Sequence, residues 1–475
     1  MKPVENPSAG AGATATLARW MAGLRLEDLP PEVVEHVKCC LIDTLACGLG
    51  GRRTADADAL VALSRRTGGT GGTGGTHTIF GEAQDFGLLQ AAQANRVLIN
   101  ILDYDDTVIG TGHMSSVAVA AALAIGEQVQ ADGRALLTAL ALAYEMPLRL
   151  RLAVNPTLEA FRANFERVDS GVHFCATVAT ARLLGLDATG MADALGLTGH
   201  LRPWHVTSPP MSTHGMSRWF KITQGDTVVA GMQAALLAQQ GIEGDRTIFD
   251  QDRCYAAHVG SDRYDSAPLE RGREGEYLLL GIGFKAQPCC RHISAFADAL
   301  AKLRDEHGVD LPSLARVRVL AHMWTHENLA IVHPQHMIGA QFSMAHALAM
   351  VMLGLPPGPA WYSEEALFGQ QARALRERVE MVHDAQAQRH YDVEKRYAGT
   401  IEVQTEGGGH LRSHVGAPKG AAGWPFTEQD HRDKLFALAE QARLSRARTQ
   451  RLWNLLRHVE RLADVRELTA LLVPG

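Results

Sequence analysis

The hydrophobic positions of this chain recur at helical spacing over most of its first 270 residues. Apolar residues three and four positions apart run through residues 33–51 and stop at a glycine cluster. Four further Ala- and Leu-rich stretches repeat this spacing, at 116–130, 134–152, 174–185 and 226–240. Ala and Leu are strong helix formers. The pattern therefore predicts a helical structure for this part of the chain.

Near residue 275 the pattern changes to short stretches typical of β-strands. Strands are predicted at 277–280, 315–321 and 399–405, the second because its apolar residues alternate with polar ones. Helices are predicted between them at 293–307 and 342–353, and again from about 427 to the end.

These elements predict a mainly α fold with an α+β lid. A large all-helical domain is expected from residues 1–279 together with 423–475, and an inserted, smaller α+β domain, the lid, from 280–422. A pocket between two such domains is a common place for a small-molecule site.

Composition narrows the classes of function. The 475 residues, of which 46% are hydrophobic and 21% charged, are typical of a globular protein with a sizeable core. The net charge of −6 gives no electrostatic reason to expect a nucleic-acid or membrane partner. The chain has no apolar run of about 18 residues, and residues 1–14 lack the order of a signal peptide. We therefore expect a cytoplasmic protein.

The cysteines do not form a pattern typical of metal binding. No C-x-x-C pair occurs, which argues against structural zinc and iron–sulfur sites. We expect reduced, unligated thiols and no metal. The seven cysteines are Cys39, Cys40, Cys47, Cys175, Cys254, Cys289 and Cys290.

Four short stretches bring together groups suited to acid–base chemistry on a small polyanion. His and carboxylate groups can titrate near neutral pH, and fixed Lys and Arg can hold substrate carboxylates and stabilise developing charge. The four stretches are residues 101–107 leading to His113, residues 171–173 ending in His173, Lys221 with Gly225, and residues 285–292 with Lys285, Arg291 and His292.

Several of these residues also have a structural interpretation. Asp105 and Asp106 are expected in a solvated loop, whereas Asp103, which follows an apolar run, is expected to be half-buried. His113 stands just before Ser115, a predicted N-cap, so that free N–H groups there would face a bound carboxylate.

His173 alone would be read as a histidine of the core, and Lys221 as a lysine whose stem passes aromatic neighbours. The cations of 285–292 have few acidic neighbours, and this favours a functional role for that segment.

Two other classes of protein have to be weighed. Asp103, Asp105 and Thr107 match the D-x-D-x-T motif of haloacid-dehalogenase phosphatases, but a helix end rather than a strand precedes the later Gly-Asp pair at 244–245. The G-x-G-x-x-A pattern at 281–286 resembles a dinucleotide-binding turn, but a proline follows at once. Neither class is favoured.

Taken together, the motifs resemble the MmgE/PrpD family, which includes 2-methylcitrate dehydratase, cis-aconitate decarboxylase and iminodisuccinate epimerase. The resemblance covers about residues 15–430. Its marks are the Leu-Ile-Asp-Thr-Leu-Ala run at 41–46, Asn95, the run at 102–107 with His113, the Gly-Val-His run at 171–173 with 181–186, Lys221 with Gly225 and 231–238, and Lys285 with the Pro-Cys-Cys-Arg-His run at 288–292.

This resemblance implies a helical domain with an α+β lid, usually a homodimer, and no cofactor. It implies that the site is lined by Asp103, Thr107, His113, His173, Lys221 and Lys285. Cys290 stands where the decarboxylases have a histidine, and His346 falls in a segment where they have an active-site tyrosine, so that it would face the pocket. Because of these departures, neither cis-aconitate nor methylcitrate follows as the substrate.

The predicted function is that of a dehydratase or hydratase of a small di- or tricarboxylate. Lys221, Lys285 and Arg291 would bind carboxylates, with Cys290, Thr107 and His346 lining the pocket. His113 or His173 would remove a proton next to a carboxylate, and Asp103 would orient the neighbouring histidine. Epimerisation and decarboxylation pass through a similar carbanion and remain alternatives, as does a family member that only binds a metabolite.

Overall fold

The computed structural model of the protein describes residues 12–68, 76–82, 84–108, 111–157, 159–160, 171–201, 216–250, 255–270 and 276–473.

Within the described residues, the first part of the chain is helical apart from one short strand pair. Its helices are α1 (Ala13–Gly23), α2 (Pro31–Gly51), α3 (Ala55–Thr67), α4 (Leu88–Asn100), α5 (Ser115–Val129), α6 (Gly133–Val154), α7 (His173–Leu183), α8 (Ala188–Leu201), α9 (Trp219–Thr223), α10 (Asp226–Gln239), α11 (Tyr255–His258) and α12 (Ala267–Glu270). The strands β1 (His77–Thr78) and β2 (Gln84–Phe86) pair antiparallel between α3 and α4.

The centre of this part is a stack of helices that are buried on almost every side. In α5, every residue from Ser115 to Glu127 is buried. This explains its composition of Ala, Val and Leu, because a helix without a polar face has to be covered all round. Helix α5 packs against α4 and α7, and α7 in turn packs against α6 and α10.

The second part contains a four-stranded sheet. Its strands are β3 (Leu314–Ala321), β4 (Val379–His383), β5 (Gly399–Thr405) and β6 (His410–Val415), in the order β4-β3-β5-β6. Strands β3 and β4 are parallel, and the other pairs are antiparallel. The accompanying helices are α13 (Arg291–His307), α14 (Met323–Asn328), α15 (Met337–Gln341), α16 (Met344–Met352), α17 (Glu364–Phe368), α18 (Gln370–Glu377) and α19 (Ala385–Asp392).

The sheet has one apolar and one charged face. Val317 and Val319 of β3 are fully buried, and α13 packs against β5 and β6. Between them along β3, Arg318 lies 2.6 Å from Glu402 of the neighbouring strand. This alternation follows from the two-residue period of a strand that is covered on one side only.

The chain ends in three helices, α20 (Glu428–Gln441), α21 (Arg446–Arg457) and α22 (Val465–Thr469). Helix α20 packs along α2, near the start of the chain. The C-terminal segment therefore contacts the helical part. The predicted domain boundaries at 279/280 and 422/423 stay a prediction.

The predicted fold class, mainly α with a smaller α+β part, is confirmed. The predicted strands at 315–321 and 399–405 are β3 and β5, and the helices predicted from the apolar spacing are present. The strand predicted at 277–280 is wrong, because Leu278–Gly281 forms a 3₁₀ turn. There the N–H of Leu279 donates to Glu145 of α6 at 2.7 Å instead of joining a sheet. A short apolar run cannot be assigned from periodicity alone.

None of the helices in the described ranges combines the length and the apolar content that a membrane crossing needs. Cys39, Cys40, Cys47, Cys289 and Cys290 are free thiols, and Cys254 lies outside the described residues.

Close packing of α10 on α7 yields a test of the helical core. A Cβ at Gly231 would lie 2.4 Å from the carbonyl oxygen of His173. Although Ala is the better helix former by about 1 kcal/mol, Gly231→Ala should lower the free energy of unfolding by about 1–3 kcal/mol through overpacking. Urea denaturation measures this change. The matched control is Gly23→Ala in α1, where no atom lies within 4 Å of the added Cβ. Equal stability of the two variants would contradict the close approach.

Candidate active site

Asp103 lies in a tight turn directly after α4. Its backbone φ is +51°, in the left-handed region, and its N–H donates to the carbonyl of Asn100 at 2.9 Å. A residue other than glycine adopts this conformation at a cost of about 1–2 kcal/mol, and Asp is one of the few that do so regularly. The turn points the carboxylate into the protein, where only 2% of the residue is exposed.

Two lysines bind this one carboxylate. The Nζ of Lys221, on α9, lies 2.5 Å from Oδ1 of Asp103 and 3.0 Å from Oδ1 of Asn100. The Nζ of Lys285 lies 3.0 Å from Oδ2 of Asp103 and 2.8 Å from its carbonyl oxygen. Both lysines are buried. The arrangement satisfies the carboxylate on both oxygens and holds two cations side by side.

His113 also contacts the Asp103 carboxylate, and its side chain is partly exposed to solvent. Its Nε2 lies 3.2 Å from Asp103 and its Nδ1 lies 3.0 Å from Asp105. The His113 side chain is 22% exposed, whereas the side chains of Asp103, Lys221 and Lys285 are at most 2% exposed. We call these four residues, with Asp105, the Asp103 cluster.

The charges of this cluster set its protonation state. Burial raises the pKa of Asp103, but Lys221, Lys285 and His113 lower it more, so that the carboxyl pKa lies well below its ordinary value. Burial lowers the pKa of His113, but Asp105 and Asp103 more than compensate, so that this pKa lies above its ordinary value. Two carboxylates facing the two ring nitrogens favour the imidazolium, because each attracts its positive charge.

The pKa of Lys221 lies below its ordinary value. Burial lowers its pKa, and the nearby carboxylate of Asp103 reverses only part of that shift. Lysine amines in such surroundings are closer to releasing a proton than exposed ones.

Asp105 and Asp106 lie in the interior of the protein, contrary to the prediction from the sequence. Both were expected in a solvated loop, and that expectation is wrong, because both are fully buried. Asn100 donates to Asp105 at 2.8 Å, and the backbone N–H of Ser115 donates to Asp106 at 3.1 Å. Of the N–H groups predicted to face a bound carboxylate, that of Ser115 therefore binds the side chain of Asp106 instead. Burial, and next the charge of Asp105, raise the pKa of Asp106 to about 7.

Ser115 was predicted to be the N-cap of α5, and this is wrong. Ser115 is the first residue of the helix, and Met114 is its N-cap.

The segment after Leu278–Gly281, which carries Lys285, lies directly beside the Asp103 loop. Thr107 and Gly283 exchange two backbone hydrogen bonds, at 3.0 and 3.1 Å, and so join the Asp103 loop to the Lys285 loop. The guanidinium of Arg291 donates to the carbonyl of Phe284 at 2.8 Å. Cys290 is the N-cap of α13. Burial, and next the carboxylate of Asp103, raise the pKa of its thiol to about 11, so the thiol is neutral near pH 7.

His173 is placed apart from the hydrogen bonds of the cluster. It is the first residue of α7, and its ring packs against Phe174 and Tyr255, with centroids 4.5 and 6.4 Å away. In the described residues it is not in hydrogen-bond contact with Asp103.

His346 lies on α16, and both of its ring nitrogens have partners. Its Nε2 lies 2.8 Å from the carbonyl of Trp361 and its Nδ1 lies 3.3 Å from Arg376. Burial lowers its pKa to about 4. The ring stacks on Tyr362, whose hydroxyl donates to the carbonyl of Pro288. A direct place in the pocket stays a prediction.

Sequence reasoning missed the residues that support the cluster. Asn100 binds both Lys221 and Asp105, and Lys434 of α20 binds Asp43 and two loop carbonyls. Asp43 belongs to the run at 41–46 that carries the family resemblance, which was a usable signal. Lys434 stands in a polar helix with no such mark.

The later acids that a haloacid-dehalogenase phosphatase would need to hold Mg²⁺, Asp245 and Asp250, lie outside the Asp103 cluster. Asp250 accepts hydrogen bonds from Thr14 at 2.8 and 2.9 Å, and the backbone of Asp245 lies against Gly196 of α8. Neither is part of the Asp103 cluster. The Gly-x-Gly pattern at 281–286 follows a 3₁₀ turn, not a strand.

Comparison with known proteins agrees with the sequence motifs. Sequence models of the MmgE/PrpD N-terminal domain and C-terminal domain match residues 15–266 and 288–460. A cis-aconitate decarboxylase of Aspergillus terreus is 22% identical, over 99% of this chain and 98% of the relative. A cis-aconitate decarboxylase-like protein of Aspergillus oryzae is 24% identical over 97% of both chains, and the human cis-aconitate decarboxylase is 24% identical over 61% of this chain and 59% of its own.

The raised pKa of His113 predicts a pH-dependent contribution to stability. A pKa that is higher in the folded than in the unfolded state, where it is about 6.5, stabilises fully below the unfolded value, and this contribution is lost as the pH rises through the folded value. The stability difference between wild type and His113→Gln should therefore be largest near pH 5.5 and shrink toward pH 9. Thermal unfolding across this range measures it.

The matched control is His410→Gln, on the exposed edge of β6. A difference for His113→Gln that stays constant with pH would contradict the raised pKa.

Proposed function

Because the chain belongs to the MmgE/PrpD family, we propose that it is a lyase that acts on a small di- or tricarboxylate through a carbanion next to a carboxylate. The observation that carries this proposal is the sharing of the Asp103 carboxylate by Lys221 and Lys285, with His113 at the exposed edge.

The charge balance of the cluster supports an anionic substrate. Asp103 and Asp105 face Lys221, Lys285 and His113, so that three basic side chains are set against two carboxylates. The chain as a whole carries −6, and the excess is therefore local to this place. Preorganised cations in a water-poor site stabilise an enediolate strongly.

His113 is the proposed proton donor. It is the member of the cluster with an exposed edge, and its raised pKa favours the protonated ring more than in an ordinary histidine. A donor of this kind contributes typically 10²–10⁴-fold to a rate.

Loss of CO₂ is the branch that fits this single donor most directly. The bond from carbon to a carboxylate breaks, and its electron pair remains on carbon as a carbanion delocalised into a neighbouring acid group. Lys221 and Lys285 would stabilise that charge, and His113 would give its proton to the carbon. The decarboxylase names of the relatives support the same branch.

Dehydration, which the sequence analysis favours, is the second candidate, and Lys221 is the observation in its favour. This branch needs a base as well as an acid. The lowered pKa of Lys221 suits an amine that takes up the proton next to a carboxylate, while His113 protonates the departing hydroxide. Hydration is the reverse, and epimerisation would return the proton on the opposite face of the same carbanion.

Thr107, Cys290 and Arg291 are proposed to complete the walls around the substrate. Thr107 lies where the two loops join, and the neutral thiol of Cys290 lies toward Asp103. We further propose that the enzyme works as a homodimer without a cofactor, as the family resemblance implies.

NMR of the purified protein in D₂O, with EDTA and a panel of di- and tricarboxylates, tests the proposal. The panel contains cis-aconitate, citrate, methylcitrate, malate, tartrate and iminodisuccinate. Loss of CO₂, loss of water, or deuterium entering next to a carboxylate would identify the branch. Silence on the whole panel would contradict the proposal, and phosphatase activity that requires Mg²⁺ would point to the haloacid-dehalogenase alternative.

Variants separate the two histidines. His113→Asn should lower turnover by about 10²-fold or more, given the usual contribution of an acid–base group, while His410→Asn on β6 should not change it. His173 is the alternative acid–base residue that the family resemblance implies, and on that hypothesis His173→Asn should cost about as much. Initial rates on the substrate found above measure both. Near-wild-type turnover of either site variant would remove that histidine from the mechanism.

A further inference from the structure

Lys434 is a buried lysine that reaches the Asp103 cluster from the far end of the sequence. It lies in the middle of α20, and only 4% of its side chain is exposed. Helix α20 packs on α2, which brings the lysine to the side of the two loops that carry Asp103 and Lys285.

Three oxygens surround its ammonium group. Nζ lies 2.7 Å from Oδ1 of Asp43 on α2, 2.7 Å from the carbonyl of Tyr104 and 3.1 Å from the carbonyl of Lys285. It also lies 3.8 Å from the centroid of the Tyr104 ring. An ammonium has three hydrogens, so the three acceptors use its full capacity.

The two carbonyls belong to the residues that set the geometry of the cluster. Tyr104 directly follows Asp103, whose left-handed turn aims the carboxylate, and Lys285 is itself a partner of that carboxylate. The loops are separated by 182 residues, yet one side chain binds the backbone of both.

We propose that Lys434 is a positioning residue of the active site, which fixes the distance between the Asp103 turn and the Lys285 loop from behind the cluster. This inference rests on the proposed function only for its catalytic consequence. Lys434 does not touch the substrate in this arrangement, because its donors are all directed at Asp43 and the two carbonyls.

The planar fork of an arginine cannot reproduce this role. Arginine donates in one plane from a larger group, whereas the three acceptors here surround a point charge. Burial of the larger side chain at 4% exposure would separate the loops instead of joining them. Lys434→Arg therefore keeps the charge but should not rescue the site.

A purely structural salt bridge between Lys434 and Asp43 is the alternative to be separated. Lys434→Met leaves the Asp43 carboxylate buried without an opposite charge, which is strongly destabilising. Asp43→Asn combined with Lys434→Met removes both charges and should recover most of the lost stability, because an isosteric neutral pair has no such penalty. The two loop carbonyls, however, remain without their donor in the double variant.

The experiment compares wild type, Lys434→Met and the double variant by thermal unfolding, steady-state kinetics and histidine NMR titration. We expect the double variant to regain stability while kcat/KM stays about 10²-fold below wild type, as when a small displacement impairs an oriented site. Recovery of kcat/KM together with stability would overturn the proposal. Lys434→Arg with at least half of the wild-type kcat/KM would also overturn it.

The titration gives a reading that does not depend on turnover. Displacement of Asp103 from His113 should lower the pKa of His113 in the double variant relative to wild type, with the His113 signal assigned by its loss in His113→Asn. An unchanged pKa would overturn the positioning role. If the wild type turns over no carboxylate, the proposed function fails, but the titration still decides about Lys434.

Lys38→Met is the matched control. Lys38 is also a buried lysine, 5% exposed, and it pairs with Glu35 and Glu460 at 2.8 Å each. It has no contact with the Asp103 or Lys285 loops in the described residues. This variant should lose stability without a change in the pKa of His113, and a shift as large as in the double variant would overturn the specific role of Lys434.

Discussion

The buried pairing of one carboxylate with two ammonium groups is the interaction on which this structure depends. The negative charge of Asp103 stabilises the amino groups of Lys221 and Lys285 next to each other in a place that water hardly reaches. Without it, two desolvated like charges would face each other, a situation that proteins avoid by neutralising one of them. The carboxylate thus holds both lysines in fixed positions, and a substrate would meet basic groups that are already oriented.

The fold delivers the three partners from separate segments, and each is fixed by backbone as well as by charge. The left-handed turn at Asp103 follows the end of α4, Lys221 lies on the short helix α9, and Lys285 lies in a loop that exchanges backbone bonds at Thr107 and Gly283. Rigid, almost fully buried helices such as α5 form the support below. Strain in a turn of this kind persists only where the surroundings over-determine it, and here two cations and a carbonyl contact do so.

The sequence predicts the candidate catalytic side chains better than the residues that hold them in place. Asp103, His113, Lys221 and Lys285 were identifiable because their spacing resembles a family, and the helices because apolar spacing reports burial. Asp105 and Asp106 were misjudged, since a run of acids outside a helix is normally solvated, and their burial depends on partners such as Asn100 that no local pattern reveals. Lys434 lies in a helix with polar residues on every turn, and its contacts across 330 residues follow only from the packing of α20 on α2.

The distribution of ionisable groups also bears on how the proton moves. At the start of α13 lies Cys290, whose thiol is neutral near pH 7, since burial and the Asp103 carboxylate raise its pKa to about 11. Two residues before α5 lies His113, whose pKa is raised by the carboxylates of Asp105 and Asp103. The raised pKa of His113 makes it the candidate proton donor of the cluster, and Lys221 and Lys285 bind the same Asp103 carboxylate that His113 contacts. In the proposed reaction, the carbanion carbon of a substrate whose carboxylates are held by these lysines would therefore receive its proton from His113.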